Sequence, residues 1–149
     1  MKRRSFIKKS ALAASYPFIT TGLIARSLSE KSTSAKEFNL NYAPHFGMFK
    51  HNAGEDLLDQ LQFMYDHGFR SMEDNGMKNR TIDMQTKIAK KMSRLGMDMG
   101  VFVAHKIYWR EPNLTSGDKA LRKEFVANIN DSVEVAKRVN AKWMTVVPG

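Results

Sequence analysis

The sequence contains no cysteine in 149 residues. That excludes disulfides, thiolate metal sites and a cysteine nucleophile, and it leaves the redox compartment open. A Gly-rich phosphate loop, an HExxH pair and a G-x-S-x-G elbow are also missing, so three common catalytic constellations are excluded. Nor does the body of the chain carry a dense basic stripe. The net charge is +9, but residues 1–34 hold seven Lys/Arg against one acid, and residues 35–149 hold 17 against 14. The basic surplus therefore belongs mainly to the leader, and nucleic acid is not an expected partner. Ala11 to Ala25 is broken by Pro17 and Thr20-Thr21, too short and too weakly apolar for a stable membrane span.

What the sequence does have is repetition. Three amphipathic runs close on Gly68-Phe69, Gly96-Met97 and Asn140-Ala141, and each leads at once into an apolar segment: FRSMED, MDMGVFVAH and KWMTVVPG. One supersecondary unit used several times gives such a pattern. The unit is βα, because the crossover between successive apolar segments is too long for a hairpin. The expected fold class is α/β, with parallel strands and outer helices.

Taken in order, strand one is expected at Phe38–Ala43, and helix one runs from Glu55 to His67 with Leu57, Leu58, Leu61, Met64 and Tyr65 as its buried stripe. Strand two is Phe69–Glu73. Thr81 caps helix two, whose stripe is Met84, Ile88, Met92 and Leu95. Strand three covers Met97–Ala104 and feeds a long loop, HKIYWREPNLTSG, of the kind that collects binding groups. Asp118 opens a long helix with Leu121, Phe125, Ile129, Val133, Ala136 and Val139 near one face, and strand four is Trp143–Val147. Many of the ten methionines fall at core positions.

The leader has its own signature. Arg3-Arg4-Ser5-Phe6-Ile7-Lys8 resembles the twin-arginine export motif, with Lys2 where Ser or Thr is usual. Residues 1–26 are read as that signal peptide, in transient membrane contact only, and 27–37 as a flexible tether. Residues 38–149 form the domain. The resemblance implies a periplasmic or otherwise exported product.

Four strands and three helices in alternation are similar to the N-terminal half of a (β/α)8 TIM barrel. The wording is more specific. NYAPHFGMF, the passage from Gly68-Phe69 through Glu73-Asp74 to Asn75-Gly76-Met77, and LGMDMGVFVAH resemble the hydroxypyruvate isomerase branch of the xylose-isomerase-like barrels. The resemblance implies proton transfer between adjacent carbons of a small sugar or hydroxy-keto acid, assisted by Mg or Mn. It places the metal ligands and paired catalytic glutamates after strand four, so none carries over, and residues 38–149 are expected to bind metal weakly and to be inactive alone. A completing half or a second copy is the expected partner.

Strand parity places Ser71 and Glu73 on the inner face if Met72 packs on the helices, with Glu73 at the C-terminal mouth. His45, His105 and Asn41 are further candidates for binding a hydroxyl or carboxylate. Trp109, with Tyr108, is placed to cover a sugar face. For each there is a plainer structural role. The alternative for the whole is an inactive half-barrel that binds carbohydrate or a partner chain.

Overall fold

A computed structural model describes residues 35–147. The export motif, most of the tether, Pro148 and Gly149 lie outside the described residues. The described residues form four α-helices: α1 (Lys50–Ala53), α2 (Leu57–Asp66), α3 (Ile82–Leu95) and α4 (Lys119–Val139). The three long ones start on side-chain caps. Asp56 accepts from the N–H of Leu58 and Asp59, Thr81 from Met84, and Asp118 from Ala120 and Leu121. Such caps satisfy donors that the helix itself cannot, at about 1 kcal/mol each. Helix α2 starts two residues later than Glu55, because Asp56 stands outside it as the cap. The repeated closing residues are the positive-φ positions: Gly68 (94°), Gly96 (65°) and Asn140 (55°).

A second device recurs in the first two units. A buried glutamine stands four residues after the cap and holds the preceding loop. Gln60 Oε1 accepts from Gly47 N–H and its Nε2 donates to Gly54 O. Gln85 Nε2 donates to the carbonyls of Met77 and Arg80, and its Oε1 accepts from Arg138 on α4. Both side chains are buried with every polar atom of the amide paired to protein, which removes the penalty of burying it. The loops that precede α2 and α3 are thereby fixed to the helices they feed.

The domain is α/β. Two short strands, β1 (Ser71–Met72) and β2 (Asp98–Met99), pair in parallel with Ser71 opposite Asp98 and Met72 opposite Met99. Isolated parallel bridges join His45 to Glu73 and Val103 to Thr145. The expected strand one is corrected: Phe38–Ala43 is not a strand. Tyr42 N–H turns back onto Leu40 O at 3.0 Å, and Phe38, Leu40 and Tyr42 are exposed. Contact with β1 begins only where Glu73 N–H donates to Pro44 O. The expected fourth strand shrinks to the bridge at Thr145, with Trp143 and Val146 exposed.

Strand three is also shorter than Met97–Ala104, and the ladder says why. Gly100 N–H donates to Met72 O, after which a regular parallel ladder would bring Asp74 N–H to Gly100 O. Asp74 N–H goes to Val101 O instead. The extra residue is a bulge, and it reverses which side chains face the helices. Met97 and Met99 are buried before it, Phe102 and Ala104 after it.

The stretch that leads into the first paired residues comes close to the third segment. Neighbouring strands lie about 4.8 Å apart, so the first and third of a flat sheet would be separated by about 9.5 Å. A Cβ placed on Gly100 would lie 3.6 Å from Ala43 Cβ and 3.5 Å from Glu73 Cβ. It would also lie 3.1 Å from Met72 O, tighter than an ordinary contact.

Behind the strands, Met72, Phe102, Met97 and Met99 pack on Leu61 and Met64 of α2, Ile88 and Met92 of α3, and Val135 and Val139 of α4. Each such side chain contributes roughly 1.5–3 kcal/mol of apolar burial. The expected α4 stripe is corrected: Val133 is exposed, while Val135 is buried and Ser132 takes an inward position, its hydroxyl donating to Ala104 O.

Candidate functional site

Parity along β1 separates two adjacent carboxylates. Met72 is fully buried among the helices, and Glu73, one residue on, is half-buried at the end of the strand. Among the described residues no side-chain hydrogen bond or ion pair reaches Glu73. Asp74 is its opposite: it is buried, accepts from Gly76 N–H at 3.0 Å, and is gripped by Arg80 through Nε at 2.5 Å. The Arg80 guanidinium lies in turn over the Phe46 ring. Asp74 holds the turn after β1 in place; Glu73 is left available.

His45 is brought beside Glu73 by the bridge between them. It is exposed, and its Nδ1 lies 3.0 Å from Phe46 O, so as a donor there it leaves Nε2 free as an acceptor. His105 is placed differently. It is buried against Phe125, Nδ1 donates to Lys106 O, and Nε2 accepts from Val147 N–H, each at 2.8 Å. Both nitrogens are thus engaged by backbone in a neutral ring, and the residue fastens the fourth segment to the third. Asn41 is not with the others. It lines a cleft at the N-terminal ends of β1 and β2, with Gly68, Arg70, Gly96 and Asp98.

The long loop after β2 opens on a staple. Tyr108 hydroxyl donates to Glu124 of α4 at 3.0 Å and accepts from Lys106 Nζ at 3.1 Å. That hydrogen bond to oxygen holds the Lys106 ammonium above its ordinary value. Trp109, next along, is 82 % exposed. It stands at the rim of a cleft of about 450 Å³ between this loop, the β1–α3 loop and α4.

Lys78 lines the same cleft and was not singled out from the sequence. Its ammonium donates to Ala104 O at 3.0 Å, to Asn128 O at 2.6 Å and to Asn128 Oδ1 at 2.9 Å. Partial burial pulls its pKa below the ordinary lysine value, and the negative charge of Asp131 pulls it partway back. The only sequence signal was its place, five residues after Glu73 in a loop that follows a strand.

No group of three or more His, Cys, Asp or Glu among the described residues is placed to hold a metal ion. Glu73 and His45 make at most a pair, and the His105 nitrogens are taken. Compared with family models, curated proteins and solved structures, the chain matches none.

Proposed function

We propose that residues 38–149 are the N-terminal half of a (β/α)8 barrel, and that the complete protein is an exported isomerase of small sugars or hydroxy-keto acids, of the hydroxypyruvate isomerase kind. One observation carries the reading. Ala43, just before the first paired residues, and Gly100 on the third segment approach each other in front of the second, a closeness like that of side chains from alternate strands in the layered interior of a barrel. The parallel contacts running from the first segment to the fourth in chain order agree with it. So does the location of Glu73 and His45 at the C-terminal ends, where barrel enzymes build their sites.

Moving a proton between adjacent carbons needs a base near the carbon and a stabiliser for the developing oxyanion. In this half, the unpartnered Glu73 carboxylate accepts a substrate hydroxyl and His45 offers a second polar contact. Both orient the substrate; neither is assigned the proton transfer. No step is derived through a metal, since the described residues do not present a donor set for one. A catalytically inactive half-barrel that binds carbohydrate or a partner chain is the second reading, favoured by the exposed Trp109 indole at the rim of a cleft that mixes polar and apolar groups.

The test is an isomerase assay with hydroxypyruvate and small sugars, with Mg²⁺ or Mn²⁺ added, on this chain and on the same chain joined to a C-terminal half of that barrel kind. Turnover is expected only in the completed barrel. Metal-dependent turnover by residues 35–149 alone would put the site in the wrong half. Export is checked separately: changing Arg3 and Arg4 to lysine should leave the product in the cytoplasm.

A further inference from the structure

The 450 Å³ cleft beside Lys78 does not include Glu73 or His45 among its lining residues, and its chemistry is distinctive. No carboxylate lines it, while Lys78 and Lys106 both do. Neither lysine forms an ion pair among the described residues. The three N–H groups of Lys78 are spent on uncharged oxygens, and Lys106 donates to the Tyr108 hydroxyl and lies over the ring of the same residue. The cleft therefore holds positive charge with no counter-charge in contact. Asn75 and Asn79 line it with side-chain amides that have no partner among the described residues, and Trp109 offers an open indole face.

We propose that this cleft binds a sugar acid: a hydroxylated chain of monosaccharide size or larger that carries a carboxylate. The volume falls in the range of about 300–1,000 Å³ that houses drug-sized ligands, far more than a three-carbon keto acid fills. A carboxylate accepts from the Asn75 and Asn79 amides in the field of the two lysines, which Asp131, Glu124 and Glu111 balance only from outside the cleft lining. The C–H face of the sugar covers the Trp109 indole. A phosphate is a poorer match. It is best held by several direct charge-assisted donors, whereas all three Lys78 donors are already engaged and only Lys106 keeps N–H groups to spare. The proposal goes beyond the isomerase reading and does not depend on it, because binding here requires neither turnover nor a second half.

Isothermal titration of the full chain with D-glucuronate, D-glucose and inorganic phosphate tests it. Glucuronate is expected to bind about tenfold tighter than glucose or phosphate, a difference of about 1.4 kcal/mol. Trp109→Ala and Asn79→Ala alter exposed, unbonded side chains, so they leave the fold intact and should weaken glucuronate about fivefold each. Lys106→Met should cost a similar factor and reduce the preference over glucose. Lys78→Met should do the same where circular dichroism shows it folded; Lys106→Met carries the charge test where it does not. Equal binding of glucose and glucuronate overturns the proposal, as does phosphate binding as tight as glucuronate. Glucuronate affinity unchanged in Trp109→Ala, or no binding at all, also overturns it. The isomerase assay can fail with every one of these results unchanged, so the two readings fail separately.

Discussion

At the N-terminal ends of β1 and β2, the cation beside the ladder is matched. Arg70 donates from Nε to Glu37 at 2.8 Å, from Nη1 to the carbonyls of Tyr65 and Phe69, and lies 4.1 Å over the Tyr65 ring. The segment that arrives there is fastened by backbone and rings: Ala35 N–H donates to Asp66 O, and Phe38 packs on Phe69 at 4.8 Å. At the C-terminal ends the matching stops. Asp74 is paired, but Glu73 beside it has no partner and Lys78 has three neutral oxygens in place of a carboxylate. Structural groups are satisfied within the chain. A charge left unmatched at the C-terminal mouth is what a surface prepared for a ligand retains.

The largest way to disturb this contrast is Asp74→Ala. It leaves the Arg80 guanidinium unpaired and Gly76 N–H without an acceptor in a buried turn. The expected loss is about 3 kcal/mol, toward the low end for a broken buried pair because Arg80 retains some access to water. Urea unfolding monitored by circular dichroism measures it. A loss below 1 kcal/mol would mean that the turn after β1 is held by something else. At the opposite end, Gly68→Ala should cost about 2 kcal/mol, combining a positive φ with a direct clash. A Cβ there would sit 2.6 Å from Lys36 O. Gly96→Ala is the control: its φ of 65° is also left-handed, but nothing lies within 4 Å of the added carbon. About 1 kcal/mol is expected. Equal losses at the two glycines would show that the Lys36 segment yields, and that the N-terminal end is less tightly fastened than the contacts imply.

The helices were legible in the sequence for a local reason. Their caps, stripes and left-handed ends lie within a few residues of one another, and Thr81, Asp118, Gly96 and Asn140 serve as the pattern implies. The strands were less so. Alternation along Met97–Ala104 cannot reveal that one residue is skipped at Gly100–Val101, because the bulge is set by the partner strand and by the closeness of Met72 O. Phe38, Leu40 and Tyr42 alternate like a strand, yet the pairing residue is His45. The α/β class was readable; the extent of each strand was not. At the candidate site, Met72 is buried and Glu73, the next residue, is half-buried. The partners of His105 and Lys78 come from Val147, Ala104 and Asn128, 26 to 50 residues away, and no local pattern announces them. The buried glutamines escaped for the same reason, although both stand four residues after a cap.

The smallest expected effect is the most discriminating. Glu73 and Asp74 are neighbours with the same chemistry, and only the second has structural work. Glu73→Gln keeps the shape and removes the charge. No hydrogen bond, ion pair or buried neighbour among the described residues depends on that charge, so the change in stability should stay within about 0.5 kcal/mol, the range for substitutions away from such features. Urea unfolding of Glu73→Gln alongside Asp74→Ala makes the comparison under one set of conditions. In a completed barrel the same substitution should raise KM for a hydroxylated substrate several-fold while leaving metal binding unchanged, because Glu73 orients a hydroxyl and ligates nothing. If Glu73→Gln instead destabilises the chain by more than 1 kcal/mol, the carboxylate has a structural partner at the end of the ladder, and it is not free to receive a substrate. If it is neutral in stability and neutral in KM, the mouth of the ladder is not where the substrate sits, and the cleft at Lys78 becomes the place to look.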